Sequence, residues 1–226
     1  MQHAQKIFGY IRKIPHATVQ FQMDLPDYLQ LSTPHYDWEQ LVYGDLRELR
    51  PSDAPKPLGN PIVTSSYKDV NLMHDLLTGR SVTGILHFVN KTLIDWYAKK
   101  QATVKTATYG SKFVSARTCV EQIIDLRNTL HYLGVPISDH SYMFGDNKSV
   151  INSSVMPHLK LNKRHMMLSL HKVRECIASG MVKFYHITGY INPADILSKH
   201  WSHATIWPIL QSVLFYPGDT CVLLQK

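Results

Sequence analysis

Apolar positions along the chain repeat with two different periods, and the switches between them divide residues 61–200 into short elements. Residues 61–68 alternate as a strand ending at Asp69, 83–90 as a second strand and 92–99 as a third. Asn90-Lys91 is a tight connection between the last two and predicts an antiparallel hairpin. From about 107 to 133 the period lengthens. Phe113, Ala116, Val120, Ile123, Leu130 and Leu133 recur at helical spacing, and Gly134 stops the run. Tyr142-Met143-Phe144 is a short fourth strand, followed by a helix starting near Ser149. A second amphipathic helix spans 164–178, with Met166, Leu170, Val173 and Ile177 on one face and Gly180 as its stop. Residues 182–187 form the fifth strand, and Asn192-Pro193 begins a last helix as N-cap and first-turn proline. The order β-β-β-α-β-α-α-β-α predicts an α/β fold: a mixed five-stranded sheet with helices packed on it.

The flanks follow different rules. Residues 3–13 suit a short helix that ends before Pro15, and Val19 and Phe21 suit a brief strand. Pro51, Pro55, Pro57 and Gly59 make 51–60 a linker, because repeated prolines remove donors and forbid helix. The expected organisation is therefore an N-terminal extension over 1–60, a domain over 61–200, and an apolar tail over 201–226. Trp201, Trp207, Phe215 and Tyr216 would pack that tail on the domain.

Composition narrows the class. An apolar share of 44% is enough for a core, and a formal charge of +7 favours a polyanionic partner. Cys119, Cys176 and Cys221 are odd in number and form no CxxC pair, which argues against a zinc knuckle or a disulfide framework. The His200/His203 pair has no third ligand nearby in sequence. No stretch of 18 apolar residues and no signal-peptide pattern occurs, so a soluble intracellular chain without a membrane partner is expected. Phosphate-loop, nucleophile-elbow and HExxH motifs are missing as well.

Candidate chemistry lies in three separated aspartates. They stand in Tyr67-Lys68-Asp69-Val70-Asn71, Gly145-Asp146-Asn147-Lys148-Ser149 and Asn192-Pro193-Ala194-Asp195-Ile196-Leu197. Carboxylates brought together at strand ends hold hard divalent cations. Singly, each also suits a turn, a helix N-cap or a first helical turn. Around them run Thr78-Gly79-Arg80-Ser81-Val82-Thr83-Gly84, Trp96-Tyr97-Ala98-Lys99-Lys100-Gln101 and Asn162-Lys163-Arg164-His165. In this order and context the segments resemble the ribonuclease H domain of copia-type LTR retrotransposon polyproteins. The matched stretches are that family's W-x-S-K-K-Q, C-D-N-x-S, T-K-H and A-D-I-L-T-K segments. Less specifically, Ala4-Gln5-Lys6-Ile7-Phe8-Gly9-Tyr10-Ile11 is similar to the end of the preceding reverse transcriptase domain. No Y-x-D-D polymerase motif is present, so no polymerase activity is expected of this chain.

The resemblance implies a metal-dependent hydrolase that cuts RNA in RNA–DNA hybrids during reverse transcription, with the rest of the polyprotein as its natural partner. Four acids would hold two Mg²⁺ (or Mn²⁺) ions. Position by position, Asp69, Asp146 and Asp195 match the first, third and fourth acids, whereas the second falls on Lys112. An ammonium there removes a ligand and opposes a dication; one unit-charge repulsion at ~4 Å is on the order of 4 kcal/mol at an effective dielectric near 20. At most one well-held ion and an impaired activity are expected. Lys160, Lys163, Arg164, Lys172 and Arg174 form a candidate phosphate-tracking face. His186 is a candidate proton shuttle. Trp96 and Tyr97 suit either base stacking or the core. The alternative function is a non-catalytic nucleic-acid-binding or interaction module.

Overall fold

The computed structural model describes residues 21–210 apart from 23, 29, 33–35, 40, 106 and 160–165, together with positions 5, 8, 9 and 12. Five strands form one sheet: β1 (Thr64–Asp75), β2 (Arg80–Val89), β3 (Thr92–Lys100), β4 (Ser141–Gly145) and β5 (Val182–His186). Their spatial order is β3-β2-β1-β4-β5. The first three pair antiparallel, while β1–β4 and β4–β5 pair parallel. Helices α1 (Thr108–Tyr132), α2 (Lys148–Val155) and α3 (Met167–Ala178) supply the crossovers, followed by α4 (Asp195–Ser198) and α5 (His203–Leu210). The expected mixed sheet and element order are both present.

Alternation along β1 sorts its side chains onto two faces. On one face Ile85, Met143, Val182 and Phe184 meet Phe113, Ala116, Cys119, Val120 and Ile123 of α1, together with Leu170 and Val173 of α3. On the other, Tyr67 stacks on Phe144 at 4.7 Å, and Leu86 and Phe88 lie under Ile196 and Leu197. Gly84 permits this second layer. A Cβ there would come within 2.9 Å of both the Ala194 carbonyl oxygen and Leu197 Cβ, so α4 sits directly on the β2 backbone.

Several boundaries differ from the sequence expectation. Asp69 lies inside β1 rather than at its end, because the ladder with β2 runs on to Asp75 after the pairing with β4 stops at Tyr67. Leu133 is exposed: it caps α1, and the chain reverses through Gly134 at φ 67° with the Val135 N–H returning to the Leu130 carbonyl. Asn192 is not the N-cap of α4, a place taken by Ala194. Its amide donates to the Lys68 carbonyl (3.0 Å) and its oxygen accepts from the Ala194 N–H (3.1 Å), so α4 begins later, at Asp195.

Residues 51–60 hold no helix or strand. The segment 21–60 nevertheless lies against the domain. The Gln22 N–H donates to Thr92 Oγ1 (2.7 Å), and the Tyr28 ring lies 4.5 Å from Tyr142. Glu48 forms two 2.6 Å hydrogen bonds with the buried Arg127 guanidinium. Phe21 is exposed and outside any strand, while Val19 and most of the expected 3–13 helix lie outside the described residues. Trp207 of α5 is buried and Trp201 half exposed; Phe215 and Tyr216 lie outside the described residues. Among the described residues no helix is long and apolar enough to cross a membrane.

Candidate functional site

Three elements bring the aspartates together. Asp69 extends from β1 opposite Gly84; Asp146 follows the last residue of β4; Asp195 opens α4. The helix cap after β4 is Asn147, whose Oδ1 accepts the Val150 N–H at 3.0 Å, and this leaves the Asp146 carboxylate uncommitted to capping. The Asn192 clasp on the Lys68 carbonyl holds the start of α4 against β1, next to Asp69. The three carboxylates lie close enough to share lysine partners.

Two ammonium groups link them. Lys112 Nζ donates to both Asp146 oxygens and stands 3.8 Å from Asp69 Oδ1. Lys199 Nζ donates to Asp195 Oδ2 at 2.7 Å and stands 3.5 Å from Asp69 Oδ2. The Ser198 hydroxyl also donates to Asp69 Oδ2. Burial opposes the charge on Asp69, but the Ser198 hydrogen bond and the Lys199 charge outweigh it and its pKa is lowered. Asp195 goes the other way: burial, with the Asp69 charge beside it, pushes it up to about 6 despite the Lys199 hydrogen bond. For Lys199, its two carboxylate neighbours overcome burial and raise its pKa.

A third lysine lies behind the cluster. Lys68 is buried on the α1 side of β1, its ammonium 5.5 Å from the centre of the Phe184 ring and donating to the Lys112 carbonyl at 3.2 Å. Burial, then the Lys112 charge, lower its pKa to about 8. Gly145 makes room for it, since a Cβ there would meet Lys68 Cε at 2.9 Å.

These residues do not fit a two-ion metal set. The position between Asp69 and Asp146 is filled by the Lys112 ammonium. The oxygens left without a hydrogen bond, Oδ1 of Asp69 and Oδ1 of Asp195, are themselves buried. Among the described residues no group of three or more His, Cys, Asp or Glu is arranged to hold a metal.

The remaining candidates are dispersed. Arg174 is not on a phosphate-tracking face: it is buried, and its guanidinium donates to the carbonyls of Ser153, Met156 and Leu159. Lys172 is partly exposed and 3.8 Å from Glu175, whereas Lys160, Lys163 and Arg164 lie outside the described residues. His186 is exposed on β5, opposite Gly145 in the strand register and so one residue from Asp146. Trp96 is exposed, and Tyr97 packs against the core. Sequence reasoning missed Lys68, Ser198 and Lys199. The alternation that turns Asp69 to one face turns Lys68 to the other, and Lys199 follows Asp195 by one helical turn, so both signals were legible.

The strand order and the packed helices make this a ribonuclease H-like fold, and three carboxylates gather on and beside its central strands. No protein-family model matches the chain. It is similar to retrovirus-related Pol polyproteins of plant transposons. It is 26% identical to that of transposon TNT 1-94 from Nicotiana tabacum and 23% identical to that of RE2 from Arabidopsis thaliana, each over 141 residues. The match covers 62% of this chain but only 10% of either polyprotein, so the chain spans a small part of those relatives. Solved structures similar to it include RNase H1 of Halobacterium salinarum (TM-score 0.46, 13% identity, 60% of this chain and 93% of that one). LC11-RNase H1, solved in complex with an RNA/DNA hybrid, is similar at a TM-score of 0.47 and 12% identity, over 59% of this chain and 92% of that one.

Proposed function

We propose that this chain is the ribonuclease H-like part of a copia-type retrotransposon Pol polyprotein that has lost efficient hydrolysis and retains contact with RNA–DNA hybrid or duplex nucleic acid. On this reading residues 1–60 are the end of the preceding reverse transcriptase domain. The observation that carries the reading is the Lys112 ammonium seated between Asp69 and Asp146, where the family resemblance requires the second of its four acids. A site that activates water between two cations needs ligands facing open coordination positions. Here both oxygens of Asp146 and one each of Asp69 and Asp195 are held by lysines and a serine.

What remains is suited to binding. The net charge of +7 attracts a phosphate backbone. Lys199 and Lys172 are each more than a third open to solvent, and Lys148 is exposed beside Asp146. Such contacts follow the backbone rather than the bases, giving affinity that falls with salt and ignores sequence. Lys160, Lys163 and Arg164, outside the described residues, are proposed for the same contact on sequence alone. His186, exposed on β5 opposite Gly145, is the proposed proton shuttle of the ancestral reaction.

The test is cleavage of a labelled RNA–DNA hybrid with Mg²⁺ or Mn²⁺ by this chain beside its Lys112→Glu variant. No cleavage by the parent chain, with salt-sensitive hybrid binding and activity appearing in Lys112→Glu, is expected. Cleavage by the parent chain that Asp146→Asn abolishes would overturn the loss of hydrolysis. Absence of hybrid binding at any salt concentration would overturn the retained contact.

A further inference from the structure

Burying three carboxylates together requires positive charge beside them, because each repels the others and has left bulk water. In a metal-dependent site that charge arrives with the ions. Here it is covalently attached. Lys112 serves Asp146 and Asp69, and Lys199 serves Asp195 and Asp69. The two bridging lysines approach from different elements, α1 and the residue after α4, so the cluster ties both to β1 as a shared ion would.

We propose that Lys112 and Lys199 act as built-in counter-ions, so that the carboxylate cluster folds, and the site accepts a nucleic-acid backbone, without any divalent ion. The second half rests on the binding function proposed above; the first does not. Bare carboxylates repel phosphate, and a metal site overcomes this by bridging the two through its ion. In this cluster the repulsion is already cancelled. Lys199, with 35% of its side chain exposed, can turn an N–H toward a phosphate while Lys112 stays on Asp146.

Two measurements on the full chain test this. In thermal unfolding, the midpoint is expected to be the same in EDTA, Mg²⁺ and Mn²⁺. Lys112→Gln, which removes a bridge without adding an acid, is expected to melt several degrees lower in EDTA and to recover part of that loss in Mn²⁺. If Lys112→Gln does not fold, the partly exposed Lys199→Gln supplies the same comparison. A parent midpoint raised several degrees by either metal overturns the counter-ion role. In hybrid binding followed by fluorescence anisotropy, the parent Kd is expected to agree within about twofold between EDTA and Mg²⁺. Binding tenfold or more tighter in Mg²⁺ overturns the metal-free contact. If no hybrid binds in either buffer, the proposed function fails, and the melting comparison still decides whether the lysines stand in for ions.

Discussion

At the scale of single residues, Lys68 is a buried ammonium with little to compensate its charge. It is fully buried, makes one 3.2 Å hydrogen bond to a backbone carbonyl, and its pKa falls from the ordinary 10.5 to about 8. Between those two values the unfolded chain binds more protons than the folded one, so stability rises with pH across that window. Lys68→Met keeps the apolar stem and removes the charge. It is expected to gain about 1–3 kcal/mol at neutral pH and to flatten the alkaline rise, as read by urea unfolding at pH 7 and pH 10. A loss of stability instead would mean that the ammonium is needed by the cluster in front of it. The three aspartates were legible because their local contexts match a known pattern. Of their lysine partners Lys112 stands out by the same pattern, whereas Lys68 and Lys199 do not, since a lysine near an aspartate in sequence is ordinary; that Lys112 reaches Asp69 from α1 is seen only in the folded arrangement.

Elements were read better than their ends. The five strands and the three crossover helices follow from hydrophobic period, a property that each segment carries within itself. Where β1 stops is decided by partners, and its antiparallel neighbour continues eight residues beyond Tyr67, to Asp75, while its parallel neighbour does not. The start of α4 is likewise set from outside, by Asn192 reaching across to β1. The contact between α4 and β2 gives a prediction at this scale. In Gly84→Ala the new methyl would meet the Ala194 carbonyl oxygen and Leu197 at 2.9 Å, which α4 can relieve only by moving away with Asp195. A cost of about 1–3 kcal/mol is expected from such overpacking. The shift should also appear in amide NMR signals around Asp195 and Ser198, and unchanged signals there would show that α4 is not held by this contact.

Across the whole molecule, the segment before β1 is bound by charge as well as by rings. Glu48 meets the nearly inaccessible Arg127 with both oxygens, His131 lies 3.4 Å away, and Arg127 reaches on to the Ser141 hydroxyl. Burial opposes ionisation of Glu48, but the Arg127 hydrogen bonds and charge prevail, and its pKa lies below the ordinary 4.5. Its contribution to stability is therefore present above pH 4.5 and disappears as pH falls through the lowered value. Glu48→Gln is expected to cost about 3–5 kcal/mol at pH 7, because it leaves a buried guanidinium without its counter-charge. The difference from the parent should shrink toward pH 3, and a difference independent of pH would assign the effect to packing alone. Nothing in the proline-rich spacing of 51–60 foretold this pair, since Glu48 and Arg127 are 79 residues apart and the periodicity of one segment carries no information about the other.

The same clasp governs where the gene can be trimmed for laboratory work. Starting a recombinant fragment at residue 61, the natural choice from the prolines, would strip the guanidinium of Arg127 and lay bare the rings of Tyr142 and Phe144 that Tyr28 now shields. A cut that keeps these contacts lies upstream of Gln22.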